Sequence, residues 1–235
     1  MAAVILTPTF SPTTWTTELL VQHPIYGARP SLRGRFHQLG AAVSVPAGGW
    51  LLLSVDDAGQ RVPAAIYAIT ALVMFATSAA YHRLAQSVKA RFWMRRLDHS
   101  MIFVHMAGAT TPLGLVVIGG ALGIGIVVAS WLLTIVGVGL KMTRLTADHD
   151  PCSCLFPLLG GLPLVAIPFL AGAQQSAAAA LLLTAGLLYT AGATCFVRKA
   201  PNPRPSVFGY HEIWHVFTLA AGACEFWVMV EVLSA

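Results

Sequence analysis

Three histidines and one aspartate lie at the ends of strongly apolar segments. His82 ends an apolar run over residues 62–82, Asp98 begins one over 98–119, and His211 and His215 begin one over 208–233. An ionisable side chain at membrane depth costs several kcal/mol, so each is a candidate functional residue. His211 and His215 are four residues apart, so on a helix they share one face and can chelate a single ion.

This set of residue types suits metal chemistry. Three neutral imidazoles plus water make up the ligand set of an open, catalytic zinc centre. A nearby carboxylate such as Asp98 can orient that water or act as its base. Ser78 lies one helical turn before His82 and shares its face. The competing interpretation is structural, because a histidine at a membrane interface often only hydrogen-bonds or extends towards the headgroups.

Composition requires that these residues be placed by membrane helices. Of the 235 residues, 57% are hydrophobic and 10% are charged, and the mean hydropathy is +0.73. Soluble domains carry roughly 25% charged residues, so lipid rather than water is the expected solvent. The net charge of +5 would suggest nucleic-acid binding in a soluble protein. Here the basic residues lie in short loops between apolar runs, which indicates membrane topology and no nucleic-acid partner.

The predicted fold is all-α and polytopic, with seven transmembrane helices. A span needs about 20 mostly apolar residues. Seven stretches qualify, at about 36–55, 62–82, 98–119, 121–141, 155–173, 175–197 and 208–233. Only Gly119-Gly120 separates the third from the fourth, and three prolines in the fifth argue against a smooth helix there.

Loop charges predict the orientation. With the N-terminus in the cytoplasm and the C-terminus outside, thirteen of the fourteen Lys and Arg residues are cytoplasmic and only Arg61 lies outside. In this topology Lys89, Arg91, Arg95 and Arg96 belong to the loop before the third span, and Lys141 to the loop after the fourth. His82, Asp98, His211 and His215 then all lie at the cytoplasmic level of the membrane.

Two regions outside the spans carry weaker signals. Residues 1–31 are expected to form a loosely ordered cytoplasmic tail that does not resemble a signal peptide, followed by a transmembrane domain over 32–235. Cys152 and Cys154, beside His149 and Asp150, form an isolated C-x-C that is a weak candidate metal tract.

Residues 211–215 also match H-E-x-x-H, the zinc-protease motif in which the glutamate is the general base. Against that hypothesis, no segment resembles the third-ligand motifs of intramembrane metalloproteases. Glu212 is also expected to point away from the helix face that His211 and His215 share.

Three motifs together resemble the hemolysin III family, which belongs with the progestin/adipoQ receptors and alkaline ceramidases. They are residues 78–82 (SAAYH), 96–100 (RLDHS) and 211–215 (HEIWH). Their order, their helices and the cytoplasmic N-terminus match the family from about Arg29 onward. The sequence departs from many bacterial members at 33–38 (RGRFHQ), where an acidic motif with Glu and Asn is common. His37 is interpreted there as a helix-end histidine without a specific role, the alternative being that it replaces part of that motif.

The resemblance implies a Zn²⁺ ion held by His82, His211 and His215, with Asp98 and Ser78 beside the bound water. It implies a protein of the bacterial plasma membrane that hydrolyses a lipid amide or related acyl bond, with membrane lipids as partners. Two rival hypotheses are a non-catalytic regulator of lipid homeostasis or signalling with a structural zinc, and a hemolytic pore. The substrate and the oligomeric state are left open.

Two further ionisable residues are predicted deeper in the membrane. His105 lies seven residues after Asp98, on a similar helix face, and is expected to make an interhelical bond or to line a cavity. Glu225 lies in the middle of the last span and must be protonated or paired.

Overall fold

The computed structural model describes residues 29–145 and 154–234, which form helices and no strand. The four helices of the first half are α1 Arg35–Ser54, α2 Ala58–Leu84, α3 Val88–Pro112 and α4 Gly120–Arg144. The four of the second half are α5 Leu155–Gly161, α6 Ile167–Gly172, α7 Ser176–Arg198 and α8 Tyr210–Leu233.

A π-helical turn and a glycine pair separate α3 from α4. Residues Leu113–Ile118 continue α3 as a π-helix, and the chain then turns through Gly119 and Gly120, at φ +66° and +56°. Positive φ values are readily adopted only by glycine, so this pair allows two long helices to be joined without a loop. The predicted break at Gly119-Gly120 is confirmed.

The fifth predicted span is an interrupted helix. It consists of α5, a 3₁₀ turn over Pro163–Ala166, and α6. Proline lacks a backbone N–H and clashes with the preceding turn, so Pro163 and Pro168 interrupt the α-helical hydrogen bonding. The expectation that this span is not smooth is confirmed.

Six segments in the described part of the chain are long and apolar enough to cross a membrane. They are Ala58–Leu84, Val88–Ile118, Gly120–Arg144, Leu155–Gly172, Ser176–Arg198 and Tyr210–Leu233. The 20-residue helix α1 is not among them, and its first turn carries Arg35, His37 and Gln38. The multi-pass architecture is confirmed, whereas the seventh span and the orientation of the termini stay predictions.

The predicted start of the third span is wrong. α3 begins at Val88, capped by the Ser87 hydroxyl, which accepts a hydrogen bond from the Ala90 N–H at 3.2 Å. Asp98 therefore lies well inside the helix, and the basic residues assigned to the preceding loop lie on its first turns. Arg96 explains the difference, because its buried guanidinium donates to the Met142 and Leu145 carbonyls and packs over the Phe92 ring at 3.6 Å.

Lys141 was likewise assigned to a loop, and this prediction is also wrong. It lies on α4 and is fully buried, with its Nζ 4.7 Å from the centroid of the Phe156 ring. A long lysine stem packs well among apolar groups, and an aromatic face favours its ammonium group. Treating the charge of Lys141 as a sign of a loop therefore made the predicted fourth span shorter than α4.

Helix α8 packs against α1, α2, α3 and α7. The main cluster of buried apolar residues lies towards one end of the bundle and includes Val55 after α1, Ala64 early in α2, and Val232 late in α8. The opposite ends of these helices, the start of α1 and α8 and the end of α2, carry His37, His211 and His82.

Most of the expected N-terminal tail lies outside the described residues, as does Cys152 of the C-x-C pair. Residues 29–32 are described, and they are held against the loop before α8. The Ser31 N–H donates to the Ser206 carbonyl at 3.0 Å, and the Leu32 N–H donates to the Val207 carbonyl at 3.2 Å.

The predicted orientation is testable with fusion reporters. Alkaline phosphatase is active only outside the cytoplasm, so we expect a fusion after Ser234 to be active and a matched fusion after Lys199 to be inactive, because cytoplasmic loops retain the basic residues. Phosphatase activity normalised to protein level measures this. An active Lys199 fusion together with an inactive Ser234 fusion would show that the orientation is the opposite of the predicted one.

The close approach of α4 to the end of α3 gives a second prediction. A Cβ on Gly123 would lie 2.0 Å from the Gly114 carbonyl oxygen, whereas one on Gly125 would meet nothing within 4 Å. We expect Gly123→Ala to destabilise the protein by about 1–3 kcal/mol, because backbone must move to admit the methyl group. Thermal unfolding in detergent checks this, with Gly125→Ala as the control. Equal melting temperatures for the two variants would contradict the packing argument.

Candidate metal centre

Three histidine side chains from two helices meet at one end of the bundle. His82 lies in the last turn of α2, and His211 and His215 lie one turn apart at the start of α8. One potential ligand atom from each lies within 4.8 Å of the others. The Nε2 atoms of His82 and His211 are 3.2 Å apart. The structure thus brings together the three histidines that the sequence nominated.

The donor set is compatible with a metal ion. Two nitrogens bound to one tetrahedral zinc ion, each at about 2.0–2.1 Å, lie about 3.3 Å apart, close to the separation of the two facing Nε2 atoms. His82 and His215 are only 4% and 2% exposed, which favours uncharged imidazoles able to donate a lone pair. Imidazole suits Zn, Cu, Fe and Ni, so the ligands alone do not identify the metal.

Asp98 and Ser78 lie beside this cluster. The Asp98 Oδ2 atom is 3.7 Å from the Nε2 atom of His82, and the Ser78 side chain lies beside the Asp98 carboxylate. Ser78 is buried on α2, one turn before His82. The two residues predicted to assist the metal therefore lie next to each other beside the histidines.

The segment before α1 packs directly against the cluster. The Arg29 Nη1 atom donates to the Tyr81 and His82 carbonyls, at 3.0 and 2.7 Å, where α2 ends. Gly34, at φ +79°, lets the chain pass so close to α2 that a Cβ there would lie 2.6 Å from the His82 Cβ. The segment before α1 therefore fixes the last turn of α2, which carries His82.

Glu212 has a structural role in this arrangement. Its Oε2 atom accepts a hydrogen bond from the Gly209 N–H at 2.8 Å, which caps α8, and its Oε1 atom pairs with the Arg33 Nε atom. Both carboxylate oxygens are thus engaged away from the histidines. This geometry argues against the H-E-x-x-H protease hypothesis, in which Glu212 would act as the general base.

His37 belongs to the site, although the sequence interpretation gave it no role. Its ring stacks on that of His215, with centroids 3.8 Å apart and planes 12° from parallel. The available signal was topological, because His37 begins the first helix at the same end as the other histidines. The ion pair of Arg33 with Glu212 was also missed, since residues 179 positions apart give no sequence pattern.

A second polar cluster lies deeper in the bundle. The Glu225 Oε2 atom accepts a hydrogen bond from the Tyr189 hydroxyl at 3.0 Å and lies 3.2 Å from the Nε2 atom of His105. These bonds join α8 to α7 and to α3. They match the predictions of an interhelical bond for His105 and of a paired state for Glu225.

Comparisons with known proteins agree with the fold and the motifs. The profile of the family described as Haemolysin-III related matches residues 26–226. The chain is 26% identical over 198 residues to the Hemolysin-3 homolog of Bacillus subtilis (strain 168), covering 83% of this chain and 89% of that protein. It is 29% identical over 198 residues to the Hemolysin-3 of Bacillus cereus, covering 83% and 87%.

The matched region contains α1 to α7, most of α8, and every residue of the histidine cluster. With its apolar helices and its three-histidine centre, the chain belongs to the Haemolysin-III related family of multi-pass membrane proteins.

Proposed function

We propose that the protein is a zinc-dependent hydrolase of a lipid amide or a related acyl bond. The observation that carries this proposal is the position of Asp98, a carboxylate 3.7 Å from the Nε2 atom of a candidate metal ligand. A hydrolytic centre needs a base beside its three ligands, and a purely structural site does not.

The residues around the centre have complementary roles in this proposal. Zinc, when bound by such ligands, supplies Lewis acidity that makes water a nucleophile near neutral pH. His82, His211 and His215 hold the ion, and Asp98 accepts the proton of the attacking water. In this proposal the Ser78 hydroxyl donates a hydrogen bond to the neighbouring Asp98 carboxylate or to a developing oxyanion.

The position of the centre favours a lipid substrate. The histidines lie where α2 ends and α8 begins, the level at which spanning helices leave the hydrocarbon. The amide and ester groups of membrane lipids occupy that level, with acyl chains extending into the bilayer. An acyl chain would therefore reach the site laterally between helices, in keeping with the resemblance to alkaline ceramidases.

One observation favours a second candidate function, a regulator with a structural or sensory zinc. The N-terminal segment is anchored over the cluster through Arg29 and Arg33, and His215 is only 2% exposed. A covered centre suits a metal that stabilises the fold. This function predicts bound metal without turnover, and loss of folding when His82 is removed.

Metal content gives the first test. We expect about one zinc ion per wild-type chain after purification in detergent, and loss of most of it in His211→Ala, because two remaining imidazoles bind zinc far more weakly. Elemental analysis with protein quantification measures it. His105→Ala is the matched control, since it removes a buried histidine outside the cluster and is expected to retain the metal.

Well-folded wild-type protein that binds no zinc, even after incubation with the ion, would contradict the proposal. Leakage of liposomes that persists unchanged in His211→Ala would instead favour the hemolytic hypothesis, in which the centre has no part.

Turnover gives the second test. With saturating zinc, we expect Asp98→Asn to lower the hydrolysis rate by about 10²–10⁴-fold, because the amide cannot accept the water proton. Ser78→Ala is expected to lower the hydrolysis rate less, by about 10–100-fold, because the Asp98 base remains but is less precisely positioned. Fatty-acid release from a panel of N-acyl and O-acyl lipids, followed by mass spectrometry, measures both rates.

An Asp98→Asn variant as active as wild type would refute the role assigned to this carboxylate. Zinc binding without release from any lipid of the panel would favour the regulatory function.

A further inference from the structure

His37 is a buried histidine with no hydrogen-bond partner in the described structure. It lies in the first turn of α1, is 3% exposed, and both of its ring nitrogens are unpaired. Burying polar atoms without partners costs free energy, so such a residue calls for a compensating interaction. The interaction present is the face-to-face stack on His215, at 3.8 Å between centroids.

A second aromatic ring, that of Phe75, also packs against His37. The Phe75 ring packs edge-on against it, with centroids 5.2 Å apart and planes at 75°. Phe75 fits because two glycines face it, since a Cβ on Gly40 would lie 2.8 Å from its ring and one on Gly222 would lie 3.3 Å from it. The His37 ring is thus packed between the Phe75 ring of α2, edge-on, and the His215 ring of α8, face to face.

The stacking geometry excludes His37 as a fourth ligand of the same ion in this arrangement. The lone pair of an imidazole nitrogen lies in the plane of its ring, so an ion bound by two rings must lie near both planes. The planes of His37 and His215 are nearly parallel, at 12°, with centroids 3.8 Å apart. An ion in the plane of His215 therefore lies well outside that of His37.

His215 lacks the support that metal-bound histidines usually have. Such a histidine normally donates its second ring N–H to a carboxylate, carbonyl or water, which fixes its orientation. The Nδ1 atom of His215 is buried and has no partner in the described part of the protein. Among the ring contacts of His215, the face-to-face stack on His37 at 3.8 Å is closer than the contacts with the His82 and His211 rings, at 4.9 and 4.8 Å.

We propose that His37 is a positioning residue for the metal centre, which fixes the His215 ring through its flat face and not through its nitrogens. This inference rests on the proposed function, because it assumes that His215 binds a metal. It assigns a role to the first helix that the three-histidine motif does not include.

The test distinguishes the contribution of the flat ring face of His37 to zinc binding from that of its ring nitrogens. We expect His37→Leu, which fills the space without a flat face, to weaken zinc affinity at least about tenfold, the usual scale for residues that orient a ligand. His37→Phe keeps the face without the nitrogens, so we expect an affinity within about threefold of wild type. Competition with a chromogenic zinc chelator in detergent measures the affinities.

Spectroscopy and stability complete the design. The visible absorption of the Co²⁺-substituted protein reports ligand geometry, and we expect it to be unchanged in His37→Phe and altered in His37→Leu. Melting temperatures of the metal-free variants detect a general loss of folding. His105→Leu is the matched control for replacing a buried histidine outside the cluster, and its zinc affinity is expected to equal that of wild type.

Each outcome is decisive. Wild-type affinity in His37→Leu would overturn the positioning role, and an equal loss in His37→Phe and His37→Leu would show that a nitrogen is needed and overturn the stacking mechanism. Either result leaves a zinc-binding wild type and the proposed function intact. A wild type that binds neither zinc nor cobalt would overturn both.

Discussion

Three imidazoles packed together between helix ends are the constraint on which the rest of this end of the molecule depends. The closely packed helix ends leave these nitrogens little access to water, so each lone pair must be directed at a donor hydrogen or at an ion. His82 and His211 are brought within 3.2 Å only if α2 and α8 pack closely at that end. Helix α8 contributes two of the three rings, so its packing against α2 is part of the same requirement.

The polar groups around the cluster act on the helices that carry it. Arg29 bonds to the carbonyls at the end of α2, while Glu212 caps the start of α8 and pairs with Arg33. One short segment before α1 is therefore linked to both helix ends that supply histidines. Because Arg29 bonds two free carbonyls of α2 and Arg33 pairs with the residue that caps α8, the segment fixes the relative position of His82 and His211.

The site residues could be predicted from sequence because each is a polar residue in an apolar context. His82, His211 and His215 stood out by this contrast and by their spacing, and Asp98 and Ser78 by their relation to them. The break at Gly119-Gly120 and the interrupted proline-containing span were predictable for a similarly local reason, since both follow from backbone chemistry.

The errors arose where tertiary contacts outweigh local composition. The charges of Arg96 and Lys141 suggested loops, but carbonyls of α4 and aromatic rings satisfy them within helices. The stack of His37 on His215 joins residues of the first and last helices, and nothing in either segment encodes it. Orientation in the membrane depends on the loop charges, and the packing of the helices does not determine it.

The relation between His37 and the ligands bears on which of the two candidate functions applies. Structural zinc sites are closed by four protein ligands, whereas catalytic sites have three and keep one position for water or substrate. The His37 imidazole packs against the cluster, and its ring lies parallel to that of His215 instead of directing a nitrogen at the three ligands. With that ring excluded, the set of histidine ligands stays at three, and the carboxylate of Asp98 lies beside it. A three-ligand centre with an adjacent base is what the proposed hydrolysis requires, and a stack that would orient His215 without adding a fourth ligand agrees with that proposal.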